Sequence, residues 1–195
     1  LIFGLDATAS RERTWDQACT LQAEIFAAAT AAAKRVEVQL VYYRGHDECQ
    51  ASRWYTSSSD LNKTMTGVMC RAGETQIGRI LAHARKEADR GGLRGLVFIG
   101  DAFEENIETM LDTATGLGMK GVPVFMLQEG TDRHVERAFK MIAHASNGVH
   151  LRFDSNAPSQ MAKLLQAVGA YLATGDLTQV RALTGPGGPG RLGSR

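Results

Sequence analysis

Five short apolar runs punctuate the chain: LIFGL (1–5), VEVQLVYY (36–43), GLVFIG (95–100), VPVFML (122–127) and GVHLRF (148–153). Each is rich in β-branched or aromatic residues with little strict alternation. That is the mark of strands covered on both faces in a parallel sheet. Segments of helical period lie between them. Residues 76–90 put Ile77, Ile80, Leu81, Ala84 and Ala88 on one stripe, and residues 104–118 do so with Ile107, Met110, Leu111, Ala114 and Leu117. Residues 158–173 repeat the pattern with Met161, Leu164, Leu165, Val168 and Leu172, and the Ala-rich stretch 15–34 and RAFKMIAHAS (137–146) complete the set.

Strands alternating with helices predict an α/β fold: a doubly wound, mostly parallel sheet with crossover connections. One connection departs from this. After VEVQLVYYRG a short polar loop leads to SRWYTS, close enough for a hairpin, so 52–57 is expected to be a short antiparallel edge strand. The folded domain is expected over 1–175. Residues 176–195 end in TGPGGPGRLGSR, too rich in Gly and Pro to build a core, and read as a tail or linker.

Composition changes this picture little. The 195 residues are 44% hydrophobic and 22% charged, enough for one domain with a sizeable core. With 22 basic against 21 acidic residues, nothing in the net charge of +1 calls for nucleic acid or an acidic membrane as partner. No apolar run approaches the roughly 20 residues of a membrane helix. The start lacks the basic region and cleavage site of a signal peptide, and it opens inside a strand-like run that leaves room for residues upstream. Cys19, Cys49 and Cys70 are odd in number and widely spaced, which fits buried thiols in a reducing, cytoplasmic setting better than a disulfide framework. A Cys49–Cys70 bridge is the alternative.

The chemistry concentrates where the first strand ends, in GLDATAS. Asp6, Thr8 and Ser10 alternate with alanines, so their side chains are able to turn toward one point. All three are oxygen donors, which suits a hard cation and lacks the nitrogen or sulfur that zinc prefers. Two more donors belong at the same edge. Asp101 follows the strand 95–100 in FIGDAFEEN, and Thr75 opens the helix before that strand in CRAGETQIGRI. If strand 95–100 lies beside strand 1–5, as a doubly wound order implies, all five share one rim. The usual nucleotide motifs are absent: there is no G-x-G-x-x-G after the first strand and no G-x-x-x-x-G-K-[ST] loop. No H-E-x-x-H, no G-x-S-x-G and no zinc-spaced His/Cys set occurs, and HDEC (46–49) reads as a solvated loop.

DATAS, Thr75 in GET and Asp101 in GDA together resemble the von Willebrand factor A-type (vWA) family. Its metal-ion-dependent adhesion site is written D-x-S-x-S, then a distant Thr, then a distant Asp. The resemblance covers about residues 1–173, including the antiparallel edge strand, and implies a Rossmann-like vWA fold. Two positions depart: Thr8 stands for the first serine, and GDA stands where the family often shows T-D-G. The resemblance implies that Thr8, Ser10 and Thr75 ligate Mg²⁺ or Mn²⁺ through hydroxyls, Thr75 in a subset of states. Asp6 and Asp101 would act largely through coordinated waters, and Ca²⁺ is a third candidate ion. It further implies a metal-dependent protein–protein interaction module that takes an Asp or Glu of a partner protein. By family analogy the setting is an intracellular bacterial assembly and the partner an AAA+ ATPase.

Blander readings of the same residues stand beside this one. Asp101 with Glu104 fits a D-x-x-E capping box for the next helix, Thr14 with Gln17 fits one for the first helix, and Thr75 fits a helix N-terminus. As for function, no evident general base or nucleophile accompanies the cluster, so no catalytic residue is assigned. One alternative is a scaffold with a vestigial metal site. Another is a Mg²⁺-dependent phosphohydrolase with Asp6 as nucleophile, as in haloacid-dehalogenase-type enzymes. That reading needs a second aspartate where Thr8 stands and an acidic pair that Asp101, Glu104 and Glu105 supply only at poor spacing.

Overall fold

β1 (Ile2–Asp6) sits inside a sheet whose strand order is β3-β2-β1-β4-β5-β6, with β2 Val38–Arg44, β3 Glu48–Tyr55, β4 Leu96–Gly100, β5 Val124–Glu129 and β6 Val149–Phe153. The structure is a computed structural model that describes residues 1–16, 19–20, 23–24, 26–27, 36–153, 166–171 and 174–182. Neighbouring strands pair in parallel except β2 and β3, which are antiparallel. The doubly wound sheet with one antiparallel edge strand is therefore as expected. β4 lies directly beside β1. The order reverses there, and the cleft at such a switch point is where open α/β sheets take ligands.

Each strand sends alternate residues to two apolar layers. Phe3, Leu5, Leu40, Val97, Ile99, Phe125 and Leu127 meet Trp15, Leu61, Met65, Val168 and Tyr171 on one face. Ile2, Val41, Tyr43, Phe98 and Met126 lie on the other. There they pack against α2 (Ile77–Arg90), α3 (Glu108–Met119) and α4 (Arg133–Ala145), which follow α1 (Ser58–Thr66) in the chain. Asp6 belongs to the second face and ends β1 at the rim.

Several boundaries differ from expectation, each for a local reason. The edge strand begins at Glu48 rather than 52, because Gly45 takes a positive φ (61°) and turns the chain tightly enough for Arg44 to face Glu48. Glu48 and Cys49 of HDEC are thus strand residues. α3 starts at Glu108, four residues late. Asn106 accepts the Glu108 N–H at 3.0 Å, so the D-x-x-E box expected at Asp101 and Glu104 does not form. α4 starts early because the Asp132 carboxylate caps the N–H groups of His134 and Val135. A 3-10 turn, Ala9–Thr14, precedes the first helix, and the Thr14 hydroxyl donates to the Arg11 carbonyl.

Of the Ala-rich segment, residues 15–16, 19–20, 23–24 and 26–27 are described and helical. Gln17 lies outside the described residues. So do Met161, Leu164, Leu165 and Leu172 of the last amphipathic segment, where 166–171 are helical. The region read as tail begins with a short helix, α5 (Thr178–Ala182), whose Val180 is buried in the first apolar layer; 183–195 lie outside the described residues. All three cysteines are free thiols. Among the described residues no helix is long and apolar enough to cross a membrane.

Candidate functional site

The rim is built from backbone outward. Asp6 pairs in register with Tyr43 across β1 and β2, and the chain leaving β1 is pinned by Ala7 N–H to the Tyr43 carbonyl at 2.9 Å. The Ala7 carbonyl accepts Arg71 N–H at 3.0 Å, which holds the loop before α2 over the same strand end. That loop also crosses the β2–β3 turn at backbone contact: a Cβ on Gly73 would lie 2.0 Å from the Gly45 carbonyl oxygen. Only glycine allows this approach, and it carries the chain to Thr75.

Four of the five expected residues join in one hydrogen-bonded string. Asp6 is fully buried; its Oδ1 accepts Thr8 N–H at 2.8 Å and its Oδ2 accepts the Tyr43 hydroxyl at 3.0 Å. Thr8 Oγ1 and Ser10 Oγ lie 3.1 Å apart, and Ser10 Oγ donates to Asp101 Oδ1 at 3.3 Å. The Thr8 methyl is buried without turning its hydroxyl away from Ser10.

Thr75 is buried at the same edge but faces another way. Its N–H donates to Glu104 and its Oγ1 accepts Glu104 N–H, both at 3.0 Å. Among the described residues it makes no hydrogen bond to Asp6, Thr8, Ser10 or Asp101.

The departures around Asp101 have a structural account. Gly100 packs so closely that a Cβ would fall 2.8 Å from the Phe98 ring and 3.6 Å from Asp6 Cβ, so no threonine fits there unless Phe98 moves. Ala102 holds a negative φ, which any residue accepts; Asn147 is the non-glycine with positive φ among the described residues.

No family model and no curated protein matches the sequence. Solved structures do match the fold. A von Willebrand factor type A protein from Catenulispora acidiphila superposes with a TM-score of 0.68 at 14% identity, covering 88% of this chain and 42% of that one. Mussel byssus proximal thread matrix protein 1, solved with a zinc-occupied MIDAS motif, gives 0.67 at 17% identity over 87% of this chain and 47% of that one. The SpRpn10 VWA domain gives 0.64 at 12% identity, with 98% and 97% covered. This chain has the von Willebrand factor A-type fold. It spans less than half the length of the first two of these proteins.

Within the vWA fold, the donors at this rim are all oxygen: two carboxylates and two hydroxyls in one string, with the Thr75 hydroxyl on the adjoining loop. Such a set fits a hard divalent cation. Burial pushes the Asp6 carboxyl pKa up and the nearby charge of Asp101 adds to this, while the hydrogen bonds from Thr8 and Tyr43 oppose it. A buried carboxylate beside a second one is stabilised by positive charge at that point, and the Arg11 guanidinium supplies part of it.

Residues to which sequence reasoning gave no part in the metal site also shape the rim. Tyr43 is fully buried, stacks on Phe98 with ring centroids 6.2 Å apart, and holds Asp6 from below. Its place opposite Asp6 follows from strand register, which no local motif announces. Glu105 accepts Ile77 N–H at 2.5 Å and Gly78 N–H at 3.1 Å, so it caps α2 from 27 and 28 residues away. Arg11 is only 1% exposed and pairs with Glu129 at the end of β5. In a run of SRER an arginine reads as solvent-exposed, and only the fold buries it.

Proposed function

We propose that this vWA-fold chain is a metal-dependent protein-interaction module that takes a carboxylate of a partner protein at the rim of β1 and β4. Asp6, Thr8, Ser10 and Asp101 would hold the ion, with Thr75 contributing when its hydroxyl leaves Glu104; Mg²⁺ and Mn²⁺ are the ions proposed. The observation that carries this reading is the hydrogen-bonded string from Asp6 through Thr8 and Ser10 to Asp101, which gathers oxygen donors from two neighbouring strand ends. When bound, the ion supplies a coordination position open to an incoming Asp or Glu. The mussel protein with its zinc-occupied MIDAS motif supports a divalent ion on this fold.

The chain's own residues fit recruitment better than catalysis. Asp6 is fully buried and both of its oxygens already accept hydrogen bonds, from Thr8 N–H and from the Tyr43 hydroxyl. A nucleophilic carboxylate must itself reach phosphorus, whereas a carboxylate can serve an ion through a bridging water. Thr8 also occupies the position that a second catalytic carboxylate would need. An AAA+ ATPase as the partner, and a bacterial cytoplasmic assembly as the setting, rest on family analogy.

Water-proton relaxation of the Mn²⁺-loaded chain tests the carboxylate step. A short peptide with a central Glu is expected to lower the relaxation enhancement as it displaces bound water, whereas its Gln counterpart is not. Equal responses to both peptides would count against a carboxylate-recruiting ion. Turnover of p-nitrophenyl phosphate with Mg²⁺ that Asp6→Asn abolishes would favour the phosphohydrolase instead.

A further inference from the structure

The rim contains a cation of its own. Arg11 follows Ser10 directly in the 3-10 turn Ala9–Thr14, and its N–H donates to the Thr8 carbonyl at 3.0 Å. Ser10 of that turn bonds Asp101 beyond β4, while Arg11 Nη1 pairs with Glu129 at the end of β5. β1, β4 and β5 are consecutive in the sheet, each about 4.8 Å from the next. The turn therefore spans three neighbouring strand ends. Those ends present three carboxylates, Asp6, Asp101 and Glu129, with one buried guanidinium among them. Neither Arg11 Nε nor Arg11 Nη1 makes a hydrogen bond among the described residues, so the contact with Glu129 is a charge pair that leaves donors of the guanidinium unmet. Burial works against the charged form of Arg11, and the negative charges of Asp101 and Asp6 support it.

We propose that Arg11 is the built-in counter-cation of this rim and that its ion pair with Glu129 sets the rim's affinity for a divalent metal. Held against Glu129, the guanidinium leaves the oxygens of Asp6 and Asp101 to the metal. Without Glu129, it turns its donors to those carboxylates and competes with the ion. A guanidinium suits this role because it is permanently charged and less strongly hydrated than an ammonium, so it tolerates burial. It also lowers the repulsion between Asp6 and Asp101 when no metal is bound. The inference rests on the metal reading given above.

Calorimetric titration of the metal-stripped full chain with MnCl₂ tests it, using wild type, Arg11→Met, Glu129→Gln and the double variant, each checked for folding by thermal melting. Arg11→Met removes one positive charge from a partly buried site and is expected to bind Mn²⁺ about tenfold tighter than wild type. Glu129→Gln is expected to bind more weakly than wild type. Because Arg11→Met leaves Glu129 without its partner and could fail to fold, the double variant is compared with Glu129→Gln alone, and it is expected to bind tighter. Wild-type binding that Arg11→Met leaves unchanged or weakens would overturn the role of Arg11 while the metal reading stands, as would a double variant no tighter than Glu129→Gln. Absence of Mn²⁺ binding in every folded variant would overturn both.

Discussion

Thr75 and Glu104 bond each other twice across 29 residues: Thr75 N–H donates to Glu104 Oε2, and Glu104 N–H donates to Thr75 Oγ1, each at 3.0 Å. This is the reciprocal geometry of a capping box, made between two loops instead of within one turn. It fastens the segment after β4 to the entry of α2. Glu105 beside it carries the cap itself, through Ile77 N–H and Gly78 N–H. The loop that brings Asp101 to the rim is thus held by its neighbours Glu104 and Glu105.

Glu105→Ala removes two charge-assisted hydrogen bonds from the first turn of α2. It is expected to lower stability by about 1–2 kcal/mol. Urea unfolding checks this, read as a shift in midpoint at constant slope. An unchanged midpoint would mean that water replaces the carboxylate without loss.

Tyr43→Phe leaves Asp6 Oδ2 without its 3.0 Å donor in a buried site. The expected cost is about 1–3 kcal/mol at pH 7 in EDTA. It should shrink as the pH falls, because the Tyr43 bond favours the charged Asp6, and protonation removes that charge. Denaturation at pH 7 and pH 4.5 separates the two conditions.

Thr8→Ser and Thr8→Val divide the hydroxyl from the methyl. The serine variant is expected to keep wild-type Mn²⁺ affinity, since the hydroxyl 3.1 Å from Ser10 Oγ is retained. Thr8→Val removes one of the oxygen donors and is expected to weaken binding at least about tenfold. Equal affinities in the two variants would take Thr8 out of the ligand set.

His150 gives the fold an acid-sensitive point away from the rim. Burial lowers its pKa from 6.5 to about 4, with Nε2 3.0 Å from Gln128 Oε1. The folded pKa is depressed, so the unfolded chain binds more protons between those values. The stability that neutral His150 contributes is present above about pH 6.5 and is lost as the pH falls toward about 4. It amounts to at most about 3 kcal/mol. Thermal melts from pH 7 to pH 4.5 are expected to fall less steeply in His150→Leu than in wild type; equal slopes would contradict this.

The sheet was legible because its strands are apolar on both faces, and the β1–β4 adjacency followed from doubly wound order. Asp6, Thr8, Ser10 and Asp101 were legible because each follows a strand end closely in sequence. Tyr43, Arg11, Glu105 and Glu129 were not. Their roles depend on parallel register, on the burial of a charged turn, and on contacts spanning 27 residues or more. No local pattern encodes such contacts. The start of α3 was missed for a related reason: Glu104 is held by Thr75 from 29 residues away and Asn106 provides the cap, so the D-x-x-E pattern that the sequence displays at Asp101 goes unused.

The most direct test is calorimetric titration of metal-stripped wild type and Asp6→Ala with Mg²⁺ and Mn²⁺. The expected result is saturable one-site binding in wild type that is lost in Asp6→Ala. The metal-free variant is expected to melt below wild type, because the Thr8 N–H and the Tyr43 hydroxyl lose their buried acceptor, so its folding at the titration temperature is checked first. No binding by wild type up to millimolar ion, or equal binding by Asp6→Ala, would contradict a cation site at this rim.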